Sequence, residues 1–174
     1  MLVETSGGNV EGNLFQLEAF GYLPGNNDTS LNYVDITPTG DLGTDSAAVL
    51  DSYDPDVKEE QSVFYINKDN DRLIVLDVFN QLTPANAYID SPAGGELKFT
   101  FFNDTTRSYY WPQFDINEDG YLTADGWADV FTRCGSNSTD LLEGSLAIGN
   151  VPGKNCKPLS YVNVYPVTSD LRIE

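Results

Sequence analysis

The chain contains no histidine. Histidine is the usual general base near neutral pH and a frequent metal ligand. Its absence removes Ser-His-Asp catalysis, Cys-His catalysis and histidine-bound zinc together. Cysteine occurs only twice, at Cys134 and Cys156. Two cysteines without histidine are too few for a four-ligand zinc site. One disulfide between them is the simpler reading, and it points to an oxidising compartment. Cations are scarce as well: 9 Lys and Arg stand against 27 Asp and Glu, a formal net charge of −18. So acidic a surface repels nucleic acid and anionic membrane, and neither is expected as a partner. No apolar run is long enough to span a membrane, and no charged-then-apolar leader opens the chain. A secreted protein of this sequence is expected to be a mature chain whose leader has been removed. Helical periodicity is missing too, since no 18-residue segment sustains it.

What is present is a folding composition. The 174 residues are 40% hydrophobic and 12% aromatic, enough for one domain with a sizeable core. Residues 1–12 are polar and glycine-rich and read as a flexible lead-in. Residues 13–174 read as a single all-β domain.

The stretch from Trp111 to Leu122 carries the clearest pattern. Phe114 and Ile116 alternate with polar Gln113, Asp115 and Asn117, the period of a half-buried strand. Asp119-Gly120 offers the positive φ of a hairpin turn, and Leu122 begins the return strand. The design occurs twice earlier. Phe64-Tyr65-Ile66 leads to the polar turn Asn67–Asp71 and Leu73, and Phe15-Gln16-Leu17 leads to Gly21 and Leu23. About a dozen short strands in three repeats of roughly fifty residues predict a β-trefoil-like barrel, with Phe15, Phe64 and Phe114 sharing one core. A two-sheet β-sandwich is the alternative.

Several motifs bear on chemistry. Asp115-x-Asn117-x-Asp119-Gly120 matches the first half of a calcium loop. The twelfth position, however, is Gly126 where a bidentate Glu is required, and Trp111-Pro112 blocks an entering helix. The hairpin reading is preferred, and no metal or other cofactor is expected. Paired carboxylates could hydrolyse glycosides, but among so many acids the sequence singles out no pair. Serine has no activating base or Ser–Lys motif here. The expectation is therefore a protein that is not an enzyme. Tyr109, Tyr110 and Trp127 are the candidates for stacking on a ligand's apolar face. Core filling is the commoner role for such rings and is expected of Trp111. Trp127, following an Asp125-Gly126 turn, is the better candidate for an exposed one. Three sequons, at Asn27, Asn103 and Asn137, fit glycosylation of a secreted chain.

From Phe64 to Val164 the chain resembles the secreted cell-wall proteins of filamentous fungi typified by the phialide protein PhiA. The matching features are Phe64-Tyr65-Ile66 with Leu73 beyond it, and the strand Trp111–Ile116 with Leu122. An aromatic-x-x-Cys ending at Cys134, a Gly-Lys-Asn-Cys turn at Cys156 and a short closing strand complete them. The resemblance implies an extracellular or wall-associated, non-enzymatic protein. Cell-wall polysaccharide is the expected ligand of such a binding protein. A trefoil-type protease inhibitor presenting one rigid loop is the alternative.

Overall fold

The computed structural model describes residues 14–23, 26–39, 45–52, 62–77, 83–101, 109–135 and 144–167. Every regular element among them is a strand: β1 (Phe15–Leu23), β2 (Asn26–Thr39), β3 (Asp45–Ser52), β4 (Phe64–Asn67), β5 (Arg72–Asp77), β6 (Thr83–Tyr88) and β7 (Gly95–Glu96). These are followed by β8 (Lys98–Thr100), β9 (Phe114–Ile116), β10 (Leu122–Ala124), β11 (Phe131–Gly135), β12 (Gly144–Ile148), β13 (Asn155–Pro158) and β14 (Tyr161–Pro166). All pairings are antiparallel.

Seven of these strands close into a barrel in the order β1-β2-β3-β8-β6-β5-β4 and back to β1. Two meanders build it. The first, β1-β2-β3, is local hairpin pairing. The second runs β4-β5-β6-β8 in the same way. They join at Phe15↔Phe64 on one side and along Asp45↔Thr100 to Ala47↔Lys98 on the other. Closure removes the exposed edges that an open sheet of this size would present.

The inner wall follows from alternation. Phe15, Leu17 and Ala19 of β1, Val34 and Ile36 of β2, and Ala48 and Leu50 of β3 project inward. Phe64 and Ile66 of β4, Leu73 and Val75 of β5, Ala85 and Ala87 of β6, and Leu97 and Phe99 around β8 complete it. β5 is buried on both faces, since Ile74 and Leu76 are also covered. That explains why its sequence is nearly continuous hydrophobe rather than alternating.

The barrel and its shared aromatic core are as expected, and the sandwich alternative does not apply. Phe15, Phe64 and Phe114 are 3%, 0% and 1% exposed and belong to one contiguous cluster. The strands are not dealt out equally by repeat, however. The ring takes three strands from the first fifty-residue stretch and four from the second. The third places Phe114 on the separate hairpin β9-β10, which packs Phe114, Leu122 and Ala124 into the same core. A common Phe-x-Ile pattern marks a strand with one buried face, and it does not by itself determine the strand's neighbours.

Two additions complete the molecule. β12 leaves the barrel beside β3 and pairs with β11, which pairs with β13. The expected disulfide clips this extension: Cys134 and Cys156 are direct register partners on β11 and β13, and they are bonded. β14 pairs with β1 along Phe15↔Pro166 to Phe20↔Tyr161, on the opposite edge from β2. Leading residues 1–12 and the sequon positions Asn103 and Asn137 lie outside the described residues, and of Asn27 only the backbone, in β2, is described.

Candidate functional site

The β9-β10 hairpin begins with a polar turn. Gly120 has φ of 83°, the left-handed conformation that a three-residue hairpin loop places at its end. Asn117 organises it. Its Oδ1 accepts from the amides of Asp119 at 2.9 Å and Tyr121 at 3.0 Å. The β4-β5 turn repeats the device, with Asn67 Oδ1 accepting from the Asp69 amide at 2.9 Å. At Asn117 the oxygen that resembled a calcium ligand serves the turn's own amides instead. Among the described residues no three or more His, Cys, Asp or Glu side chains gather as a metal site.

The return strand β10 runs into a second, tighter turn. Ala124 and Trp127 exchange backbone hydrogen bonds at 2.9 and 3.1 Å, with Asp125 and Gly126 between them. Asp125 has φ of 51° and Gly126 of 90°, the double positive φ of a type I′ turn. Asp125 is anchored on both carboxylate oxygens. The Gln113 amide donates to Oδ1 at 2.9 Å and the Tyr110 hydroxyl to Oδ2 at 2.7 Å. The Asp125 amide in turn donates to the Gln113 carbonyl at 2.7 Å. The hydrogen bond to Asp125, with some desolvation, raises the Tyr110 pKa.

This turn presents Trp127, which is 64% exposed. An indole carries one of the largest apolar surfaces of any side chain, so leaving it in water forgoes substantial burial energy. Of the two tryptophans, Trp127 was the better candidate for an exposed ring, and it is exposed. The fold also brings Tyr110 to the same loop through Asp125.

Tyr109 falls elsewhere. Its ring stacks on Tyr88 with centroids 4.0 Å apart, and it meets Trp111 edge-on at 5.8 Å. Arg72 lies over the Trp111 ring, 4.2 Å from its centroid. Tyr88 donates to Asp45 Oδ2 at 2.7 Å, and burial followed by that bond pushes its pKa far above the usual tyrosine range. Trp111 is thus half-buried beneath a guanidinium, between the fully buried role expected of it and a free platform. Tyr109 has one face occupied, so it is a poorer stacking surface than Trp127. Arg72, Tyr88 and Asp125 are participants that the sequence did not single out. For Asp125 a signal existed, because Asp before Gly in a tight turn commonly bonds neighbouring backbone.

No protein-family model matches the chain, and no curated protein or solved structure matches it.

Proposed function

We propose that this is a secreted, glycosylated, non-enzymatic protein of the fungal cell wall or surface that binds polysaccharide, with Trp127 as its stacking ring. The carrying observation is an indole 64% exposed on a type I′ turn whose aspartate is anchored twice. A ring held by so short a loop loses little conformational entropy when a ligand docks, so more of the stacking energy appears as affinity. Flat indole faces suit the apolar faces of sugars, and the Asp125 carboxylate of the same turn, with the Tyr110 hydroxyl bonded to it, suits hydroxyl groups. The disulfide supports an oxidising compartment, and the sequons at Asn27, Asn103 and Asn137 support passage through the glycosylation machinery.

The test is retention on insoluble β-glucan, chitin and mannan, comparing the native protein with Trp127→Ala. The native chain is expected to be retained by at least one polymer. The variant should pass through with an unchanged melting temperature. Failure of the native protein to bind any of the three, or equal retention of the variant, would overturn the reading.

A further inference from the structure

The Phe-x-Ile repeat leaves one observation that sugar stacking does not use. A pocket of about 140 Å³ opens where β1, β4, β9 and β14 converge, beside the Phe15↔Phe64 closure. Its described lining is Leu14, Phe15, Ile66, Ile116, Val164 and Pro166, with Lys68. Each of the three stretches contributes one apolar member of its pattern: Phe15, Ile66 and Ile116. The first two are buried, whereas Ile116 is 37% exposed. The position equivalent to buried Ile66 therefore stands partly open in the third stretch. Its register partner Leu122 faces the core.

From this we infer a binding site for a small anionic amphiphile: one six-membered ring or a short branched alkyl group carrying a carboxylate. Three features carry it. The volume matches the about 150 Å³ of an apolar cavity that holds one benzene. Apolar walls exclude hydrogen-bonding ligands but favour hydrocarbon, and burial of a ring in them is worthwhile for that reason. Lys68 is exposed and is the one charged residue among the described lining, in a chain where cations are outnumbered threefold. A lysine at a pocket rim can lay its aliphatic stem on apolar surface and keep its ammonium in water, where a carboxylate emerging from the mouth would meet it.

The probe is 3-phenylpropionate, titrated against the full chain with amide chemical shifts as readout, and 3-phenylpropanol is the uncharged control. The anion is expected to shift amides of Phe15, Ile66, Ile116 and Val164 saturably and to bind more tightly than the alcohol. Lys68→Gln should remove that preference, a loss of about two- to fivefold that corresponds to one exposed ion pair. Ile116→Trp replaces a side chain that is 37% exposed at the rim and should fill the pocket, abolishing binding at an unchanged melting temperature. Absence of saturable shifts, equal affinity for the alcohol, or no effect of Ile116→Trp would each overturn the inference. So would a native dimer that Ile116→Trp converts to monomer, since the occupant would then be a second copy of the chain.

Discussion

Phe15 and Phe64 face each other across the single register pair that joins β1 to β4, with ring centroids 6.4 Å apart and planes 23° from parallel. Phe64 also meets Phe99 of β8 at 5.9 Å, so its ring links the closing pair to the opposite wall. Backbone contact at this seam is minimal, and side-chain packing holds it shut. Phe64→Ala is expected to cost about 3–5 kcal/mol, a large share of the stability of a domain this size. Phe15→Ala should cost similarly, since that ring is also buried. Urea denaturation measures both. A loss below about 1 kcal/mol for Phe64→Ala would show that the barrel does not depend on this seam.

The disulfide acts on another part of the molecule. Cys134 and Cys156 are 22 residues apart and clip β13 to β11 outside the ring. The chain-entropy model gives such a loop roughly 3 kcal/mol. Reduction, or Cys134→Ser with Cys156→Ser, should lower the melting temperature. It should also speed amide exchange first in 155–158, while the barrel amides stay protected. Equal acceleration throughout would mean that the clip and the ring unfold as one unit.

Much of this architecture was legible because the signals were local. The alternation of Phe114 and Ile116, the hydrophobic run Leu73–Leu76 and the turn at Asp125-Gly126 each specify their own backbone. The strand order was not legible in the same way. Phe15 could pair with any strand presenting one apolar face, and its partner Phe64 is set by barrel closure rather than by either residue's neighbours. β2 is a further case. Asn26, Asn27, Asp28 and Pro38 are residues typical of loops and turns, yet the strand runs from Asn26 to Thr39. Its length follows from pairing with β1 from Leu23↔Asn26 to Glu18↔Tyr33 and with β3 along Asn32↔Ser52 to Thr39↔Asp45, tertiary constraints that override the low strand propensity of Asn and Asp. At the candidate site Trp127 was visible because it follows a turn dipeptide. Arg72 over Trp111 was not, because the two meet only through the fold.

Asn117 tests the calcium resemblance. Its Oδ1 holds two turn amides, so Asn117→Ala should cost about 1–2 kcal/mol by leaving them without a protein acceptor. Millimolar calcium should leave the melting temperature of the native protein unchanged. A rise of several degrees that Asp119→Ala abolished would mean that the turn rearranges into a cation site.

The Asp125 anchor makes a sharper demand on the proposed sugar site. Asp125→Ala removes the acceptor of both the Gln113 amide and the Tyr110 hydroxyl. It should weaken polysaccharide retention although Trp127 itself is intact, and bring the Tyr110 pKa down toward that of an ordinary tyrosine. Asp125→Asn keeps an acceptor oxygen and should recover part of the retention. If Asp125→Ala bound as well as the native protein, positioning of the indole would not depend on the turn.

Alkaline pH probes the contact between β1 and β14. Tyr165 donates to Glu18, a carboxylate that is largely buried on β1, and that bond with partial desolvation pushes the tyrosine pKa up to about 12. An unperturbed tyrosine titrates near 10. The folded state therefore favours the neutral phenol, because an ionised one would set two negative charges side by side. A folded pKa raised above the unfolded one means that the contribution is complete below about pH 10 and is lost as pH climbs through about 12. Stability should fall across that window, and Tyr165→Phe, which cannot ionise, should flatten the part of the slope due to this residue. Ultraviolet tyrosinate absorbance, native minus Tyr165→Phe, gives the titration directly. Glu18→Gln should move it toward the ordinary value, since the charge that opposes ionisation is gone. A Tyr165 titration near 10 in the native protein would show that its hydroxyl does not engage Glu18, and the β1–β14 contact would then rest on backbone pairing, the core packing of Leu17, Ala19, Val162 and Val164, and the Phe20–Tyr161 stack.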